Sequence, residues 1–96
     1  MTNQMWQDAE TRYPGHVARI QRGRAILEAH LADPRAGIIR ATIGADGDIR
    51  FSIRSQSNAR GTYTVDAHGC TCPDWPQSQR CKHWIAVSVL RALIGA

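Results

Sequence analysis

A chain of 96 residues, 43% of them hydrophobic, has room for one small core and little more. Its formal net charge of +4 permits an acidic partner such as nucleic acid without demanding one. Three cysteines, all between positions 70 and 81, form an odd and clustered set that suits a metal better than a disulfide framework. No charged segment followed by an apolar run opens the chain, and no stretch reaches about 18 apolar residues, so neither a signal peptide nor a membrane span is expected. The expected compartment is the cytoplasm, where thiols stay reduced and available. The basic residues are eleven arginines and Lys82. Arginine is the better bidentate phosphate ligand, although composition alone is a weak functional signal.

The first third reads as helical. Asn3 is placed to cap a short helix running to about Arg12. Pro14-Gly15 interrupts it, and Pro14 suits the start of a second helix. There Val17, Ile20, Leu27 and Leu31 share one face at 3.6 residues per turn, and Asp33-Pro34 ends the run. His16 and His30 lie about 21 Å apart along such a helix, too far to share a metal, and are expected in solvent.

The middle third reads as strands. Ile39, Ala41 and Ile43 alternate with Arg40 and Thr42, while Ile49, Phe51 and Ile53 alternate with Arg50, Ser52 and Arg54. Gly44-Ala45-Asp46-Gly47-Asp48 between them is a hairpin signal. A polar linker, Ser55 to Arg60, leads to a third strand from Gly61 to Asp66, with Tyr63 and Val65 on one side and Thr62 and Thr64 on the other. The last segment, about Cys81 to Ile94, is a helix apolar nearly all round, a pattern that calls for burial on several sides. Lys82 and Arg91 fall on its opposite sides, so it carries no basic stripe. The expected fold is α+β: amino-terminal helices, a three-stranded antiparallel sheet, a metal-binding loop and a carboxy-terminal helix. Residues 1–35 would form a helical region and 36–96 a ββ(β)α module, packed as one small domain.

The chemistry sits in Cys70-Thr71-Cys72-Pro73-Asp74-Trp75 and Cys81-Lys82-His83-Trp84. The pattern is C-x-C, eight residues, C-x-H. Residues two apart in an extended chain point the same way, so Cys70 and Cys72 aim both sulfurs at one place. The intervening loop is long enough to reverse direction, and Cys81 and His83 then arrive at the start of the final helix. Three sulfurs and an imidazole complete a closed Cys₃His shell for one structural Zn²⁺, with no open position for catalysis. Arg80 and Lys82 flank Cys81 and would offset a loaded site of about −1. Pro73 and Pro76 stiffen the loop, and Trp75 and Trp84 would shield it. A catalytic Cys–His pair is the rival reading. It lacks a third group to orient it and leaves two cysteines unexplained, so no enzymatic activity is expected. His68 shares the Cys70 face but is surplus to a tetrahedral site.

At these residues the chain resembles the SWIM zinc-finger family, whose core is C-x-C, a variable loop, then C-x-H. Ser55-Gln56-Ser57, Tyr63-Thr64-Val65-Asp66 and Cys81-Lys82-His83-Trp84-Ile85-Ala86-Val87 extend the likeness over about positions 50 to 92. The resemblance implies zinc ligation by Cys70, Cys72, Cys81 and His83, and a role in DNA binding or protein–protein interaction. The amino-terminal half carries no such likeness.

Two functions follow. The outer sheet face would gather Arg40, Thr42, Arg50, Ser52, Arg54, Thr62 and Thr64, with Arg60 on the adjoining loop. These are donors of the kind used on phosphates, which makes Arg40, Arg50, Arg54 and Arg60 the candidate DNA contacts. Against this, antiparallel sheets often show one polar face, and Asp46, Asp48 and Asp66 cancel the local charge. The alternative is an adaptor that docks on a recombination, transposition or replication protein, or on a second copy of itself, through the apolar final helix.

Overall fold

The computed structural model describes residues 3–55 and 61–95. Helix α1 (Asn3–Arg12) is followed by a 3₁₀ turn at Pro14–His16 and then helix α2 (Val17–Ala32). A second 3₁₀ turn at Pro34–Ala36 ends on Gly37, whose φ of 77° turns the chain into the sheet. Strands β1 (Ile39–Ile43), β2 (Ile49–Arg54) and β3 (Thr62–Val65) form one antiparallel sheet in the order β1-β2-β3. A single-turn helix α3 (Trp75–Ser78) and the final helix α4 (Lys82–Ile94) complete the chain. The expected α+β architecture is therefore the observed one.

Asn3 departs from its expected role. It is already helical, and its Oδ1 accepts from Arg24 on α2 instead of capping its own helix. Trp6 is the one buried residue of α1, and Arg24 lies over its ring, 5.8 Å from the centroid.

Helix α4 packs along α2, and that contact decides which face of α2 is buried. Ile20 and Leu27 are buried as expected, but Leu31 is exposed, and Gly23 and Ile26 complete the seam. The spacing 20, 23, 26 and 27 is a helical stripe in which the glycine reads as a gap unless the partner helix is known. A β-carbon at Gly23 would lie 2.9 Å from the Lys82 carbonyl oxygen and 2.9 Å from Ile85 Cγ2. Glycine thus permits the backbones of α2 and α4 to approach at the turn of α4 that carries His83. The buried stripe of α4 is His83, Ala86, Val87 and Leu90.

On its other side α4 meets the sheet. Ile39, Phe51, Ile53 and Val65 form the inner sheet face of the core. Arg91 spans the junction: its Nη2 donates to the Ile49 carbonyl at 3.1 Å, and its guanidinium stands 5.2 Å from the Phe51 ring centroid. The apolar run of α4 is thus largely consumed between α2 and the sheet. Leu93 and Ile94, at its end, remain exposed.

The hairpin extends beyond this core. Ala41 and Ile43 point to the inner side by register, yet both are exposed, Ile43 at 77%. The turn itself is well made. Gly47 N–H donates to Gly44 O at 2.9 Å, Gly47 takes φ 85°, and Asp46 Oδ1 accepts from the Asp48 amide.

Candidate metal centre

Cys70 is delivered by a tight reversal after β3. Asp66 N–H donates to Gly69 O at 3.0 Å, while Asp66 Oδ1 accepts from the amides of His68 and Gly69. Cys70 then forms an antiparallel bridge with Val65. Thr71 N–H donates to Thr64 O, and Thr71 Oγ1 accepts from Thr64 N–H, so position 71 is tied to the strand from both sides. With 71 held outward, Cys70 and Cys72 turn inward together, as their spacing predicts. His68 ends exposed on this reversal, outside the cluster.

The return path is short. Trp75 N–H donates to Cys72 O at 3.2 Å, α3 follows, and Gln79 takes the left-handed conformation with φ 51° to close it. Trp75 stacks at a tilt against Trp84 with 4.8 Å between ring centroids. Its indole also passes over Gly69, where a β-carbon would sit 2.5 Å from Trp75 Nε1. Gly69 is thus required by close approach.

Cys81 caps α4. Its backbone is extended, its Sγ accepts from Trp84 N–H at 3.4 Å, and its carbonyl accepts the first helical bond from Ile85. A thiolate here does the work usually done by a serine or aspartate oxygen, at the helix end that favours negative charge. His83, the second residue of α4, has Nδ1 3.8 Å from Cys70 Sγ and its ring 4.8 Å from that of Tyr63.

The four ligand atoms of Cys70, Cys72, Cys81 and His83 lie within 4.8 Å of one another, and all four residues are buried. A tetrahedron with arms of about 2.3 Å has edges near 3.8 Å, so the cluster has the size of a closed four-coordinate metal site. The four residues are able to hold a metal ion. Cys81 is drawn down to about 4, chiefly by the hydrogen bond from the Cys70 thiol, with His83 and the Trp84 amide assisting against burial. Cys70 is pushed up, first by that same bond to Cys81 and then by burial. Cys72 is pushed up by burial first and by Cys81 second. Three sulfurs this close cannot all carry a negative charge unaided, and a divalent cation binding among them would displace the remaining thiol protons.

Two features escaped the sequence reading. Asp74 and Arg19 form a two-pronged ion pair, Nε to Oδ2 at 2.7 Å and Nη2 to Oδ1 at 2.9 Å. It ties the loop after Cys72 to α2, and the hydrogen bonding from Arg19 holds the Asp74 carboxyl below its ordinary range. The partners are 55 residues apart, so no local pattern announces them. Arg80, expected to offset the thiolates, instead places its guanidinium 4.5 Å from the centroid of the Tyr13 ring. The histidines expected in solvent also differ. His16 is half-buried beside Arg19, and His30 carries a buried Nδ1 without a partner.

The register pairs Arg40 with Ser52, Thr42 with Arg50, Ser52 with Thr64 and Arg54 with Thr62, which puts all seven residues on one face away from the core. Arg50 pairs with Asp46 at 3.0 Å, and Arg54 Nη2 donates to the Ala36 carbonyl. Arg60, with the linker residues 56–59, lies outside the described residues. Among the described helices none is long and apolar enough to cross a membrane.

No protein-family model matches this chain, and neither a curated protein nor a solved structure matches it. The site therefore rests on its own geometry.

Proposed function

We propose that this chain is a non-catalytic zinc module of the SWIM kind that binds nucleic acid, DNA in the first instance, as an accessory factor. Three thiolates and one imidazole are the donor set Zn²⁺ prefers, and with all four positions taken by protein no site remains for a substrate. The single observation that carries the nucleic-acid reading is the face of Arg40, Arg50 and Arg54 interleaved with Thr42, Ser52, Thr62 and Thr64. Two of its three arginines, Arg40 and Arg54, have no carboxylate partner among the described residues. Titration of a random DNA duplex at two salt concentrations tests it. Three phosphate contacts predict a slope of about −3 in log K against log salt, and R40Q/R54Q should flatten it by about two. Absence of binding at low salt by the zinc-loaded protein would overturn the reading.

The adaptor reading keeps a smaller basis. Most of the apolar surface of α4 is used internally, which leaves Leu93 and Ile94 at its end, 47% and 59% exposed. Light scattering of the purified chain addresses the homodimer form of that reading, and a clean monomer would remove it.

A further inference from the structure

The two edges of the sheet are finished differently. The β3 edge is closed by its own chain: Cys70 bridges Val65, Thr71 N–H donates to Thr64 O, and Thr64 N–H donates to Thr71 Oγ1. The β1 edge is open. Helix α4 meets the sheet on the β3 side, and residues 40–43 are all exposed. Ile38 O accepts from Arg54 N–H and Gly44 N–H donates to Asp48 O, so the even positions of β1 bond to β2. Ile39, Ala41 and Ile43 therefore send their N–H and C=O groups outward, and no described residue bonds them there. Their side chains share the inner face, where Ile39 is buried and Ile43 is 77% exposed. Neither a proline nor a bulge blunts the strand, and its one charge is Arg40.

We infer that β1 is a self-association edge, pairing antiparallel with β1 of a second copy about a two-fold axis at Ala41. The strand reads nearly the same in both directions from that residue. Ile39 meets Ile43 of the second copy, Arg40 meets its Thr42, and Ala41 meets Ala41. This register uses all five residues of the strand, and Ile39, Ala41 and Ile43 exchange both backbone bonds with their counterparts. Charge and burial select a second copy as the occupant. Arg40 lies opposite a threonine and not its own counterpart, so no like charges face each other directly. The axis is perpendicular to the sheet, which keeps both inner faces on one side. Ile43 of each copy is thereby carried to the buried Ile39 of the other, out of the water its own fold leaves it in. So short a seam makes a weak dimer, and the dilute chain is monomeric. The inference does not rest on the nucleic-acid reading.

Sedimentation of the zinc-loaded protein from about 10 μM to about 1 mM tests it, a range that spans weak interfaces. The average mass should rise towards that of two chains. Amide hydrogen exchange reads the register. Ile39, Ala41 and Ile43 should exchange more slowly at high concentration, whereas Arg40 and Thr42, already bonded to β2, should change little. Ala41→Pro and Ile43→Lys should each weaken dimerisation about tenfold or more with helical circular dichroism unchanged, since the proline removes an outward N–H and the lysine replaces an exposed side chain. Should Ala41→Pro lose structure, Ile43→Lys decides. Leu93→Ser with Ile94→Ser should leave the dimer intact. A monomer at the highest concentration would overturn the inference and leave the edge to a strand of another protein. A dimer that survives Ile43→Lys would also overturn it, and one lost with Leu93 and Ile94 instead would belong to the end of α4.

Discussion

The two ends of this molecule are held together by different means. At the hairpin end, a well-formed turn joins β1 and β2, but the inward-facing Ala41 and Ile43 reach past the core and touch solvent. At the other end, residues 70 to 83 contain little regular structure, yet Cys70, Cys72, Cys81 and His83 are all buried. Regular backbone hydrogen bonding and tertiary burial are thus separated here. The hairpin keeps its shape through local chemistry, whereas the loop brings four side chains from its two ends to one point.

The strongest way to break that contrast is to remove the metal. Chelation, or Cys81→Ala, should abolish the cooperative thermal transition and much of the helical circular dichroism, since structural zinc sites couple about 10 kcal/mol or more to folding. A chain that melts unchanged without zinc would refute the metal's structural role. Acid should act the same way in the metal-loaded protein, because protons compete with the cation for three thiolates and an imidazole. In the metal-free chain the sign for Cys81 is definite. Its folded value lies near 4, below the ordinary thiol value of 9.0, so its contribution is complete above pH 9, declines as pH falls, and is gone below about 4. Cys70 and Cys72 are shifted upward and oppose it at alkaline pH. Metal content and helical circular dichroism of the loaded protein across this range check the direction, and a protein that keeps both unchanged below pH 4 would contradict the Cys81 assignment.

A smaller effect is expected at the seam between α2 and α4. Gly23→Ala gains about 1 kcal/mol of helix propensity but forces a methyl against Ile85 and the Lys82 carbonyl, at a cost of about 1–3 kcal/mol. The net result should be a loss of about 1 kcal/mol, seen as a lower denaturant midpoint. Gly15→Ala, where a β-carbon would meet nothing within 4 Å, should show no such loss. The smallest effect belongs to the hairpin end. Ile43→Thr should change stability by less than about 0.5 kcal/mol, because the side chain is already in water. Phe51→Ala on the same sheet should cost about 3–5 kcal/mol. A large loss at Ile43 would mean that its face is covered in solution.

The metal cluster was legible because C-x-C and C-x-H encode direction as well as identity. Each pair is local, and only their meeting is long-range. The sheet was legible for a similar reason: alternation fixes which residues face inward, and the Asp46-Gly47 turn fixes the register of β1 on β2. The seam through Gly23 was not legible. A glycine inside a helix carries no apolar signal, and its meaning depends on the helix that lies against it. Arg19 and Asp74 were hidden in the same way, as were the aromatic contacts that draw Arg80 to Tyr13 and Arg24 to Trp6.

From residue order alone came the strands, the α4 helix and the four residues that meet at the metal centre, because periodicity and ligand spacing act over a few residues at a time. Only the packed chain determined that α4 lies between α2 and the sheet and that Ile43 is left outside. Those outcomes depend on distances between segments far apart in sequence, and no local propensity sets such distances.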